Sequence, residues 1–177
     1  LTDPVNTPWG AVQCPDFAQV ASDKKAYAKA TRQQYDQQDE IYGKTVIQRH
    51  GKQMLVQNPP ALSLTQEELD AVYQLPFQRK PHPMYDAQGG VPGIAEVQFS
   101  IAHNRGCFGY CNFCSIALHQ GRRVTCRSEE SILKEAKQIT EMPNFKGYIH
   151  DVGGPTANFR APSCKKQLTK GVCKERQ

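Results

Sequence analysis

The sequence predicts an α/β fold, and three observations carry that expectation. Val97, Phe99 and Ile101 alternate with Gln98 and Ser100, the period of a half-buried strand. A helix follows from Ser128, whose hydroxyl suits an N-cap, with Glu129 and Glu130 matching the positive end of the helix dipole. Residues 148–152 then supply a second strand, which stops at Gly153-Gly154-Pro155. Strand, helix and strand in that order imply a parallel pair joined by a right-handed crossover.

Residues 1–17 contain three prolines and no clear period, so they read as an irregular lead-in. Residues 23–38 favour helix, with Ala26, Tyr27, Ala30 and Gln34 at helical spacing on a mostly polar surface that lies outside. Residues 45–48 and 54–57 flank a turn containing Gly51 and read as a β-hairpin. Asn58-Pro59-Pro60 stops the second strand, and Thr65 with Glu68 three residues later forms a capping box that opens a helix through Tyr73. Pro76, Pro81, Pro83, Pro92 and the Gly89-Gly90 pair break any pattern over residues 75–93 and place a boundary near Gly93. Residues 1–93 are then a small α+β segment, and residues 94–177 the α/β part. In its helix, Ile132, Leu133, Ala136 and Ile139 form the expected buried stripe, and Met142-Pro143 ends it. A cysteine-rich loop follows the first strand at its C-terminal end, where open sheets and α/β barrels place ligands.

A chain of 177 residues has room for one ordinary domain, and a 38% hydrophobic share with 12 prolines and 13 glycines points to much loop. The formal charge is +5, but the lysines and arginines are scattered among acids, which argues against a nucleic-acid partner. No apolar stretch is long enough to span a bilayer and no signal segment is present, so the expectation is no membrane association and a cytoplasmic location. Seven cysteines is an odd number, and three sit within residues 107–114, too close to pair as structural bridges. Metal ligation is the better reading.

Cys107-Phe-Gly-Tyr-Cys111-Asn-Phe-Cys114 offers three thiolates within eight residues, so one curled loop can present them to a single compact cluster. Three ligands on a four-iron cube leave one iron open to a substrate or cofactor. The alternative is a structural zinc completed by Cys126, His119 or His103, in a non-catalytic interaction module.

The three cysteines, with Phe113 just before the last and Gly153-Gly154 one helix later, resemble the radical S-adenosylmethionine (SAM) superfamily. Asn58-Pro59-Pro60-Ala61, Pro81-His82-Pro83, Arg105-Gly106-Cys107-Phe108-Gly109, Ser128-Glu129-Glu130-Ser131-Ile132 and the run from His150 to Asn158 are similar to its YgiQ-like subfamily. The resemblance implies a [4Fe–4S] cluster on Cys107, Cys111 and Cys114, with SAM chelated at the open iron. It implies reductive cleavage to a 5′-deoxyadenosyl radical acting on a substrate it leaves unspecified. A reductant such as flavodoxin or ferredoxin is the implied partner. Phe113 is expected against the adenine and Gly153-Gly154 at the methionine amino group. Many members follow the glycine pair with an acid, whereas Pro155 stands there, which puts that acid's contact in doubt and leaves open whether Asp151, a candidate cofactor-binding residue, replaces it. The implied fold is a partial TIM barrel of which this chain holds the first βα unit and second strand, as a fragment truncated at its C-terminus. His119, Arg122, Arg123 and Arg127 are candidates for a carboxylate or other anion, and Cys164 with Cys173 for a second metal site.

Overall fold

A computed structural model describes residues 1–154, 157–161 and 164–173. In chain order the first elements are β1 (Val12–Gln13), α1 (Phe17–Ser22), α2 (Lys24–Asp36), β2 (Val46–His50), β3 (Gln53–Gln57) and α3 (Gln66–Tyr73). They are followed by α4 (Ile94–Val97), β4 (Ser100–Ala102), β5 (Asn104–Arg105), α5 (Ile116–Gln120), β6 (Thr125–Cys126), α6 (Glu129–Thr140), β7 (Asp151–Gly153) and α7 (Gln167–Lys170). The chain forms two compact units that interleave in sequence. Unit 1 takes Leu1–Ser63, Phe108–Arg123 and Ser163–Gln177; unit 2 takes Leu64–Cys107 and Val124–Pro162.

In unit 1, the Asp23 carboxylate accepts from the Lys25 N–H at 2.9 Å and caps α2. Ala30 on that helix packs with Cys14, Val46 and the partly buried Val20, which sets its inner face. The hairpin forms around the glycine-containing turn, with Ile47 opposite Val56 and His50 opposite Gln53 and Gly51 at φ 60°. The lead-in is more ordered than its prolines suggest. Val12 and Gln13 pair in parallel with Val46 and Ile47, adding a third strand too short to show a period. The C-terminal segment is tied in by Asp39, a buried carboxylate that accepts the N–H groups of Ile41, Tyr42 and Val172.

In unit 2, β4 and β7 are parallel neighbours, Ile101 opposite Val152 and Ala102 opposite Gly153. Phe99, Ile101 and Ile139 are buried together, with Ile132 and Ala136 packed on them, so α6 covers one face of this pair. Thr65 and Glu68 make the expected capping box on α3.

Three sequence expectations need correction here. Val97 ends the one-turn helix α4 and is 59% exposed; the strand begins at Ser100, because Phe99 and Ile101 alone supply its buried side. The second strand likewise begins at Asp151, and Tyr148 instead packs its ring on His150. On α6, Leu133 is exposed, whereas Glu135 is buried. The reason is electrostatic. Glu135 pairs with both Arg79 and Arg127, and Arg127 also donates to Ser131 and lies 4.1 Å from the Tyr73 ring centroid. A charge can be buried when it is paired in this way.

Candidate metal and cofactor site

Cys107 closes a segment of unit 2 and is buried, whereas Cys111 and Cys114 belong to unit 1. The last two are brought together locally. The Cys114 N–H donates to the Cys111 carbonyl at 3.0 Å, closing a turn over Asn112 and Phe113 immediately before α5. Phe113 is 93% exposed in that turn. None of the seven cysteines is in a disulfide. Among the described residues no group of three or more His, Cys, Asp or Glu side chains is arranged to hold a metal ion. Thiolates are the donors an iron–sulfur cluster takes, which is the chemistry this loop offers. Cys126 is otherwise engaged: its buried thiol donates to the Phe159 carbonyl at 3.1 Å, and burial pushes its pKa up. That removes one of the residues offered for completing a zinc site.

The residue before Cys111 is unusual. Tyr110 takes φ 50°, a left-handed conformation uncommon outside glycine, asparagine and aspartate. Its ring lies 5.3 Å from that of Tyr35, the Arg122 guanidinium sits 4.2 Å from its centroid, and its hydroxyl donates to the Tyr35 carbonyl. Burial raises the phenol to about 12, against the opposing pull of Arg122. Arg122 donates to the Cys173 carbonyl, and Arg123 pairs with Glu40 at 2.7 Å. Arg122, Arg123 and Arg127, which the sequence offers as anion holders, all have partners inside the protein.

The glycine pair has a steric explanation. Neither Gly153 nor Gly154 has positive φ, so conformational freedom is not what selects glycine. A Cβ at Gly153 would stand 2.8 Å from an Asp151 carboxylate oxygen and 3.0 Å from Asn158 Oδ1. A Cβ at Gly154 would overlap Asn104 Oδ1 and come within 2.5 Å of the Ala157 carbonyl oxygen. The Gly154 N–H donates to Asn158 Oδ1 at 3.2 Å, and the Gly153 carbonyl accepts from the His103 N–H at 2.9 Å. Asn104 is 2% exposed, and neither atom of its amide has a hydrogen-bond partner in the protein. The glycine pair is thus ringed by oxygen acceptors from Asp151, Asn158, Asn104 and Ala157, a set complementary to a cationic amine. The Asp151 carboxylate lies beside Gly153, and Pro155 is outside the described residues. Asn104 has no sequence signal beyond its place just before Arg105-Gly106-Cys107. Cys164 and Cys173 are exposed at the two sides of α7, and no metal-binding group forms around them among the described residues.

A parallel strand pair with a cysteine loop after its first strand and a crowded diglycine at the end of its second defines the class of protein to which comparison should lead. Residues 3–100 match the family described as Radical SAM N-terminal, and the chain belongs to that family within the radical SAM superfamily. Its relatives include a UPF0313 protein of Clostridium botulinum, strain 657, 55% identical over 94% of this chain and 26% of the relative. Another, from Clostridium perfringens strain ATCC 13124, is 55% identical over 92% of this chain and 25% of the relative. The chain therefore spans about a quarter of the length of the curated relatives it matches. No solved structure matches it. Among the described residues no helix is long and apolar enough to cross a membrane.

Proposed function

We propose that this chain supplies the cluster loop and part of the cofactor site of a radical SAM enzyme built on a partial TIM barrel. The observation that carries the reading is a loop bearing three cysteines outside any disulfide, together with a glycine pair whose neighbours leave no room for a side chain. Cys107, Cys111 and Cys114 would hold a [4Fe–4S] cluster through three of its irons. When reduced, by a donor such as flavodoxin or ferredoxin, the bound cluster and SAM supply reductive cleavage to a 5′-deoxyadenosyl radical.

The protein's own part is binding and orientation. The exposed Asp151 carboxylate would accept from the ammonium group of the cofactor's methionine end, beside the backbone of Gly153 and Gly154. Phe113, already in solvent, covers the adenine. Seven free thiols suit a reducing cytoplasm.

The test is anaerobic incubation of SAM and dithionite with reconstituted protein spanning the length of the UPF0313 relatives, followed by chromatography for 5′-deoxyadenosine. Product that disappears in Cys107→Ala, Cys111→Ala and Cys114→Ala supports the reading. Stoichiometric zinc without sulfide, and no product, would favour the structural-zinc alternative. This chain alone should turn SAM over far more slowly, since cofactor preorganisation and water exclusion need the rest of the barrel.

A further inference from the structure

Unit 1 contains a cleft of about 930 Å³ that the sequence does not reveal. One wall is α2, where Tyr27 and Tyr35 sit eight residues apart and therefore on the same side, with Arg32 beside them. Tyr42, Tyr110 and Arg122 complete the lining. Asn112 also lines it, so the two neighbours of Cys111 in the chain both face this space.

We propose that this cleft binds a planar aromatic ring carrying an anionic group, the chemistry of a nucleoside monophosphate. Its volume lies in the range of small-molecule sites, roughly 300–1,000 Å³. Four tyrosines line it, and Tyr27 is 61% exposed, leaving a ring available for stacking. The charge has a sign as well: two arginines and one carboxylate, Asp36, line the cleft, a formal balance of +1. Asp36 holds Arg32 in place through a 3.0 Å ion pair, so that guanidinium stays at the rim. Identifying this ligand as the substrate rests on the radical SAM reading, because it places the ring beside the loop that carries Cys111. The binding itself does not depend on a cluster.

The experiment uses the metal-free chain and adenosine 5′-monophosphate as probe, followed by calorimetry and amide chemical-shift mapping, with adenosine and ribose 5-phosphate as half-ligands. The expected result is saturable binding that shifts α2 and residues 108–112, with both half-ligands weaker. Tyr27→Ala should weaken it about tenfold, as loss of one stacking face does, without changing the circular dichroism of the chain. Arg32→Gln should weaken the monophosphate but leave adenosine unchanged. No shifts at about 10 mM probe, a concentration at which even a millimolar site fills, would overturn the proposal. So would equal affinity of Tyr27→Ala and parent, or adenosine binding as tightly as its monophosphate. None of these outcomes bears on cluster assembly, so failure here and failure of the radical SAM reading are separable.

Discussion

Asn104 Oδ1 occupies the space that a side chain on Gly154 would need. Asn104 opens β5 and Gly154 follows β7, strands of two different sheets, so the glycine is selected by close approach of a distant side chain. Gly154→Ala should therefore force Asn104 or the backbone to move, at a cost of about 1–3 kcal/mol, the usual range for overpacking. Gly93→Ala is the control, because a Cβ there meets nothing within 4 Å and its φ is not positive. Urea denaturation of the two variants checks this: Gly154→Ala lowers the midpoint and Gly93→Ala does not.

Glu135 joins Arg79 and Arg127 in unit 2. Glu135→Leu keeps comparable bulk on α6 but leaves a wholly buried Arg127 side chain without its carboxylate. Removing one partner of a buried pair costs about 3–5 kcal/mol. The expected outcome is loss of cooperative unfolding or a large fall in stability by thermal melting, and the paired change Arg127→Met with Glu135→Leu should recover part of it.

The Tyr110 phenol gives a pH signature. Its folded pKa, about 12, lies above the usual value near 10. Between those two values the unfolded chain has lost this proton while the folded chain keeps it, so fewer protons are bound on unfolding and stability falls as pH rises. Below about pH 10 the contribution is fully present. Tyr110→Phe should remove this part of the alkaline fall, measured as the difference between the two unfolding midpoints from pH 9 to 12.

What was legible in the sequence was local. The three cysteines fall within one short run, two short strands flank a turn containing Gly51, and Thr65 and Glu68 satisfy a capping box three residues apart. What was hidden depends on distant partners. Asp39 accepts from Val172, 133 residues away, and no local pattern announces it. Leu133 and Glu135 exchange their expected burial because Arg79 and Arg127 arrive at Glu135 from other segments. The acceptor ring around Gly153-Gly154 includes Asn104 for the same reason. The family match, meanwhile, covers residues 3–100 and stops before the cysteine loop.

Asn112 and Phe113 are exposed in the turn between Cys111 and Cys114, so a cluster held by those two cysteines should shield the turn. Limited proteolysis before and after anaerobic reconstitution reads this directly: cleavage near exposed Phe113 and Asn112 should slow when the cluster is present. Unchanged cleavage with a full cluster would mean the loop is not its seat.

The central claim is that three thiols hold one four-iron cluster, and iron with acid-labile sulfide per chain after anaerobic reconstitution measures it most directly. The account predicts about four of each, with most lost in Cys107→Ala, Cys111→Ala or Cys114→Ala and little lost in Cys126→Ala. Full iron and sulfide retained in any of the first three, or metal taken up as zinc with no sulfide, would contradict it.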